Sequence, residues 1–250
     1  MDTVVGKEPL IYDSFLCIKG SQKCDIERTF HNKSSSQSHT MPTPEQFTCE
    51  VQRLGVNFDS IVVIYDNQGI YCAPRAWWMF KVMGFENVYV LDGGLPEWLE
   101  KGFPTEDRFS LKERGSFVAN YQHSAICDAD SVVGAINSHE NKIVDARASA
   151  RFTGKAPEPR ASLRSGHIPS SINIPFLDLL RGFRYKSVEE LRLIFLQQEV
   201  YGESLICSCG SGITACVVIL AATMIGAKDL CLYDGSWSEW GENSDLPIER

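Results

Sequence analysis

Two stretches of the sequence recur in the same order in each half of the chain. The run Ile61–Asp66 has the same apolar pattern as Ser204–Cys209, and Leu91–Trp98 has the same pattern as Tyr233–Trp240. The copies are offset by about 140 residues, which is the length of a domain and far longer than a solenoid repeat. The repeat therefore predicts a duplicated domain.

Short apolar runs alternate with helical patterns in both halves. This alternation predicts an α/β fold of tandem domains, each a mostly parallel sheet flanked by helices. A chain of 250 residues has room for two such domains. The polar, charged segment 105–122 interrupts the apolar pattern and is expected to be a linker. We therefore expect a first domain at residues 1–104 and a second at residues 123–250.

Two helix starts are marked by capping residues. Thr43 is expected to be an N-cap, with Pro44 at the first helical position and the side chain of Gln46 reaching back to the cap. Ser187 and Glu190 stand at the same spacing and predict a second helix start.

A loop of small residues, Cys209–Thr214, lies between two apolar stretches. Leu205–Cys207 is typical of a buried strand, and Ala215–Ile225 is typical of a buried helix. Two glycines, Gly210 and Gly212, allow the loop to turn its amide groups inward, and the helix start adds partial positive charge. Negative charge on the Cys209 sulfur is therefore favoured, which predicts a nucleophilic thiolate.

The residue after this loop indicates which anion the loop accepts. Phosphatases that begin their loop with cysteine need an arginine six residues later to neutralise a dianionic phosphoryl group. That position is Ala215, so sulfur transfer through a monoanionic persulfide fits better. In the first copy, Asp66 stands at the position of Cys209. Since a carboxylate cannot attack a sulfane sulfur, the first copy is expected to be catalytically silent.

Charge and cysteine content exclude several function classes. A net charge of −8 disfavours nucleic acid or an anionic membrane as a partner, and no uncharged apolar stretch is long enough to span a membrane. The nine cysteines form neither a disulfide framework nor a zinc-binding pattern, so we expect no metal and no cofactor. A reactive thiolate needs a reducing compartment, which favours the cytoplasm, or the mitochondrion if a leader has been lost.

The loop and the motifs around it resemble the rhodanese superfamily, in particular its two-domain 3-mercaptopyruvate sulfurtransferases. Their loop reads Cys-Gly-Ser-Gly-Val-Thr, and only Ile213 differs here. The other matching motifs follow in order: Val144–Arg147, Arg151–Phe152, Glu158–Arg160, Gly166–Pro169, Asn173–Pro175 and Tyr233–Trp240.

The resemblance implies a role for individual residues of the loop and of a nearby basic segment. By alignment with the family, Arg151 and Arg160 hold the substrate carboxylate and ketone, as the planar guanidinium fork suits both groups. The remaining substrate-binding residues are in the loop and are Gly210, Gly212, Ile213 and Thr214. The resemblance also implies a proton relay of Ser211, His39 and Glu27, with Glu27 where the family usually has Asp.

The activity implied by the resemblance is transfer of sulfur from 3-mercaptopyruvate through a Cys209 persulfide, with release of pyruvate. The implied acceptors are thiols such as thioredoxin or glutathione, or cyanide. One alternative is thiosulfate sulfurtransferase, although enzymes that prefer thiosulfate usually carry basic residues at the positions of Gly210 and Ser211. A second alternative is a non-catalytic rhodanese-like binding module.

The start of the chain departs from the family pattern. Ile18–Gly20 matches a family element that normally follows a strand, and Cys17 stands where the family has histidine. The resemblance therefore implies an N-terminally shortened first domain that lacks one inner strand. Such a loss leaves backbone groups of the neighbouring strand unpaired.

Overall fold

The computed structural model describes residues 4–35, 37–138 and 140–250. They cluster into two compact units. The first unit runs to Ser35 and continues at Met41–Gln122 and Gly182–Arg184; the second takes residues 37–40, His123–Arg181 and Tyr185–Arg250. Each half of the sequence thus contributes one short segment to the other unit.

The second unit contains a five-stranded sheet with helices between its strands. Its helices are α4 (Ala129–Ser138), α5 (Ser149–Phe152), α6 (Val188–Gln197), α7 (Ala215–Met224) and α8 (Ser236–Trp240), with 3-10 turns at His123–Ala125 and Phe176–Leu179. The sheet strands are β5 (Ile126–Cys127), β6 (Lys142–Asp145), β7 (Ile172–Asn173), β10 (Leu205–Ser208) and β11 (Leu230–Tyr233). A separate two-stranded sheet consists of β8 (Leu180–Arg181) and β9 (Arg184–Tyr185).

The five strands follow the order β5-β11-β10-β6-β7, and every pairing in this sheet is parallel. In the central pair, Ser208 at the end of β10 lies opposite Asp145 at the end of β6. The chain leaves β6 toward β7 and leaves β10 toward β11, in opposite directions along the sheet. Ligands of open α/β sheets bind at such a switch point, beyond the carboxyl ends of the strands.

The sheet of the second unit is buried by apolar side chains. All four residues of β10 are buried, and α7 is buried along most of its length, which explains why its sequence shows no polar face. On one side of the sheet, Ile206 packs in a cluster with Tyr233, Trp237 and Trp240. This cluster covers one face of the sheet at β10.

The first unit is built around a smaller sheet. Its helices are α1 (Pro44–Arg53), α2 (Ala73–Val82) and α3 (Gly94–Glu100), and its strands are β1 (Cys17–Ile18), β2 (Val62–Ile64), β3 (Val88–Val90) and β4 (Thr105–Glu106). β2 pairs with β3 in parallel, and β1 pairs with β4 antiparallel. Its core contains edge-to-face aromatic pairs that join Phe47, Phe80, Phe85 and Phe117.

Both predicted helix starts are present, with one difference. The hydroxyl of Thr43 accepts the Gln46 amide, but the Gln46 side chain donates to Thr29 and His31 carbonyls instead of reaching back to the cap. Ser187 and Glu190 form the complete capping box of α6. None of the helices among the described residues is both long enough and apolar enough to cross a membrane.

The segment 105–122, expected to be a linker, instead clusters with the first unit. The amides of Gly115 and Gln122 donate to the carbonyls of Gln52 and Val82, each at 2.7 Å. Phe117 is only 3% exposed. The charged run Lys112–Arg114 shortly before Phe117 hides this burial in the sequence, which is why the sequence pattern predicts a linker.

Equivalent positions of the two central strands differ in burial. The pairing of Val62 with Val88 in the first unit corresponds to that of Leu205 with Leu230 in the second. Within the described part of the chain, β2 pairs with β3 alone, whereas β10 has β6 on its other edge. Val63 is accordingly 56% exposed, although Ile206 at the equivalent position is 5% exposed.

This contrast leads to a test of stability at two repeat-related positions. Ile206→Ala removes a packed side chain and is expected to lower the free energy of unfolding by about 2 to 5 kcal/mol. Val63→Ala changes an exposed side chain and should cost less than about 1 kcal/mol. Chemical denaturation of both variants measures the difference, and equal losses would contradict the assignment of burial.

Candidate active site

The loop Cys209–Thr214 joins β10 to α7, as the sequence predicts. Cys209 is the first residue beyond the carboxyl end of the central strand and is 2% exposed. Gly212 has φ of 77°, a left-handed conformation that favours glycine. Thr214 occupies the N-cap position of α7 without capping it through its side chain. The chain therefore turns sharply at the switch point of the sheet.

The loop amides are available to an anion. Within the described part of the chain, the N–H groups of Gly210, Ser211, Ile213 and Thr214 donate to no acceptor. Amide groups of buried loops are normally paired. A row of unpaired donors directly after Cys209 can stabilise negative charge that develops on its sulfur or on a bound substrate.

The loop of the first unit shows how the same arrangement holds an anion. Asp66 follows β2 as Cys209 follows β10, and its carboxylate accepts four backbone amides. The donors are Gln68 (2.7 Å), Tyr71 (3.1 Å), Cys72 (3.0 Å) and Ala73 (2.8 Å). Burial raises the pKa of the Asp66 carboxyl, and the four amide hydrogen bonds act in the opposite direction. In this loop the anion is a side chain of the protein itself.

Residues at the start of α8 fix the backbone of the nucleophile. The amides of Trp237 and Ser238 donate to the carbonyls of Cys209 and Gly210, each at 2.9 Å. The Ser238 hydroxyl also donates to Gly210 (2.6 Å), and the Ser236 hydroxyl accepts the Cys209 amide (3.3 Å). The sequence motif contained these serines, but sequence reasoning assigned them no role, because their contacts depend on how β11 and α8 pack beside the loop.

Arg151 lies beside the loop. Its guanidinium donates from Nε and Nη2 to Glu158, at 3.2 and 2.5 Å. A Cβ atom added to Gly210 would lie 3.3 Å from Nη2, so the guanidinium packs against the backbone immediately after Cys209. Sequence reasoning identified Arg151 but not Glu158, whose position depends on the tertiary fold.

A short segment from the N-terminal half of the chain also belongs to the second unit. His39 Nδ1 lies 3.2 Å from the Ser211 hydroxyl, although 172 positions separate the two residues. The exposed guanidinium of Arg160 donates to the Ser38 hydroxyl at 2.6 Å. His39 has φ of 65°, a conformation that is unusual outside glycine and is found preferentially at functional sites. The structure thus brings His39 to Ser211.

Glu27, the acid expected in the relay, belongs to the first unit. Its backbone amide donates to the Asp25 carboxylate at 3.2 Å. Its role as a partner of His39 stays a prediction.

Among the described residues, no group of three or more histidine, cysteine or acidic side chains is arranged to hold a metal ion.

Comparison with known proteins identifies the family of the chain. The rhodanese-like domain family matches residues 8–101 and 128–243. The chain is similar to 3-mercaptopyruvate sulfurtransferase of Escherichia coli strain K12, with 41% identity over 235 residues that cover 93% of this chain and 83% of the relative. Thiosulfate sulfurtransferase of Mus musculus is 41% identical over 229 residues, which cover 89% and 76%.

A solved structure shows the same fold. The crystal structure of SseA from Escherichia coli, described as a 3-mercaptopyruvate sulfotransferase with the rhodanese fold, superposes with a TM-score of 0.80 at 38% identity. The match covers 89% of this chain and 83% of SseA. The chain therefore belongs to the rhodanese family.

Proposed function

We propose that this sulfurtransferase takes sulfur from 3-mercaptopyruvate onto Cys209 and passes it to a thiol. The observation that supports this most directly is the set of unpaired loop amides after Cys209, next to Arg151. Ala215 stands where a phosphatase loop of this kind would carry its arginine, which favours sulfur transfer over phosphoryl transfer. The relatives named above act on mercaptopyruvate or on thiosulfate, so identity alone does not separate these two donors.

In the first half-reaction, the Cys209 thiolate attacks the sulfur of 3-mercaptopyruvate. A sulfur–sulfur bond forms, the carbon–sulfur bond breaks, and its electron pair leaves with pyruvate as the enolate. The enolate then takes up the proton of the donor thiol, which gives pyruvate and leaves the outer sulfur of the persulfide negatively charged. Cys209 is left as a persulfide, whose charge the amides of Gly210, Ser211, Ile213 and Thr214 stabilise.

Two arginines orient the donor in this proposal. Arg151 lies against Gly210 and so faces the atoms nearest to the nucleophile, while Arg160 is exposed and held by Ser38. A guanidinium can hold a carboxylate through two parallel hydrogen bonds, which fixes the position of the donor sulfur. Ser211 and His39, at 3.2 Å, supply a path for the proton.

In the second half-reaction, an acceptor thiolate attacks the outer sulfur of the persulfide and regenerates the Cys209 thiolate. We propose thioredoxin or glutathione as the acceptor. Both steps use one site in turn, so ping-pong kinetics are expected. Because the thiolate must stay reduced, a cytoplasmic or mitochondrial location is proposed.

Thiosulfate is the second candidate donor, because relatives that use it are as similar as those that use mercaptopyruvate. Thiosulfate is a dianion, and neutral Gly210 and Ser211 follow the nucleophile here. We expect kcat/KM for 3-mercaptopyruvate to exceed that for thiosulfate by at least about tenfold. Steady-state rates with each donor, at one fixed concentration of acceptor thiol, test this expectation; an equal or higher value for thiosulfate would reject 3-mercaptopyruvate as the preferred donor.

A further inference from the structure

Four charged side chains of the second unit alternate in sign and are linked by hydrogen bonds: Asp145, Arg147, Glu158 and Arg151. The side chains of the first three are only 1 to 2% exposed, and that of Arg151 is 15% exposed. Two carboxylates and two guanidinium groups balance in charge, which allows such a network to be buried. It runs from the buried end of β6 to the loop.

Arg147 is the fixed end of this network. Its guanidinium donates to both oxygens of Asp145, to Glu158 and to the Gly166 carbonyl, at 2.6 to 3.1 Å. Its central carbon also lies 4.1 Å from the centroid of the Trp237 ring. Every guanidinium nitrogen of Arg147 donates at least one hydrogen bond, so the side chain is held in one orientation.

Glu158 connects this fixed arginine to the one at the loop. Its Oε1 accepts from Arg147 Nη1 at 2.9 Å and from Arg151 Nε at 3.2 Å, and its Oε2 accepts from Arg151 Nη2 at 2.5 Å. The pair with Arg151 is therefore bidentate, which sets both the position and the plane of that guanidinium. Arg151 Nη1 takes no part in this pair.

We propose that Glu158 is a positioning residue that sets the guanidinium of Arg151 for the donor carboxylate. It acts through Arg151 and not on the donor itself. This inference rests on the proposed function, in which Arg151 binds 3-mercaptopyruvate. Arg151 has a long flexible side chain and packs against Gly210, which has no side chain. Among the described residues, no side chain other than Glu158 fixes the plane of its guanidinium.

The test compares two variants, each of which neutralises one of the two carboxylates that accept hydrogen bonds from Arg147. Glu158→Gln keeps the size of the side chain but places an amide donor against a guanidinium, so the bidentate pair with Arg151 is lost. Asp145→Asn is the matched control, because the Asp145 side chain contacts Arg147 and does not contact Arg151. Both variants should lose stability, as shown by thermal unfolding.

Only Glu158→Gln is expected to change donor binding. KM for 3-mercaptopyruvate should rise by about 10- to 100-fold, with kcat changed less than about threefold, since a misplaced binding group costs this much. Asp145→Asn should keep the KM of the unaltered protein. If the two variants show the same KM, the change follows from lost stability and the positioning role is wrong.

A third variant separates this inference from the proposed function. Arg151→Lys keeps the charge but cannot form a planar fork, so it should raise KM as Glu158→Gln does. If Arg151→Lys leaves KM unchanged, the proposed role of Arg151 in binding the donor fails. If Arg151→Lys raises KM and Glu158→Gln does not, only the positioning role of Glu158 fails.

Discussion

Replacing Cys209 by serine is expected to lower kcat/KM for sulfur transfer from 3-mercaptopyruvate by at least about 10⁴-fold. A serine hydroxyl is protonated at neutral pH and cannot carry a persulfide. The variant should fold normally, because the two side chains are close in size and the carbonyl of residue 209 is held by a main-chain hydrogen bond from Trp237 of α8. Release of pyruvate in the presence of an acceptor thiol measures the loss.

Cys231→Ser is a suitable control for this substitution. Cys231 is partly buried on β11, beside β10, and its thiol contacts the Leu232 carbonyl and the Cys127 side chain. The control should keep activity within about twofold. Residual activity of Cys209→Ser above one percent of the unaltered protein would show that another group carries the sulfur.

The second large effect is expected on stability. Arg147→Met removes the cation between two carboxylates whose side chains are only 1 to 2% exposed. Breaking a buried ion pair in this way costs about 3 to 5 kcal/mol, because the remaining charges stay buried without a partner. Since a typical domain is stable by only about 5 to 15 kcal/mol, most of the stability of the second unit should be lost.

An exposed pair of the same chemistry provides the control for Arg147. Arg181 and Glu190 also form an ion pair, with side chains that are 72% and 36% exposed. Arg181→Met should therefore change the free energy of unfolding by less than about 1 kcal/mol. Urea denaturation of both variants measures the contrast, and a loss for Arg147→Met as small as that of the control would show that the network contributes little.

The fold was predictable from the sequence where local pattern and tertiary environment agree. The apolar run before Cys209 and the mostly apolar stretch after Thr214 are β10 and α7, because β10 is fully buried and α7 is buried along most of its length. Parallel pairing followed from strands that alternate with helices. In the first unit, Val62–Ile64 is also a strand, although its sequence did not indicate that Val63 is exposed.

Residues whose role depends on tertiary contacts were not predictable from the sequence. Glu158 and Ser238 belong to recognisable motifs, but only the folded chain places one against Arg151 and the other against Gly210. The sequence predicts that the Gln46 side chain caps α1, but in the folded chain it donates to the carbonyls of Thr29 and His31 instead. Only the family resemblance indicates His39, because no local sequence pattern predicts that its side chain lies 3.2 Å from the Ser211 hydroxyl.

The Cys209 sulfur is expected to accept a sulfur atom from 3-mercaptopyruvate, and the proposed reaction depends on this step. The most direct measurement is mass spectrometry of the whole chain, incubated with 3-mercaptopyruvate without an acceptor thiol and then digested. We expect the mass of one added sulfur atom on the peptide that contains Cys209, and its removal by glutathione. An unmodified Cys209 peptide, with sulfur on another cysteine or on none, would contradict the account.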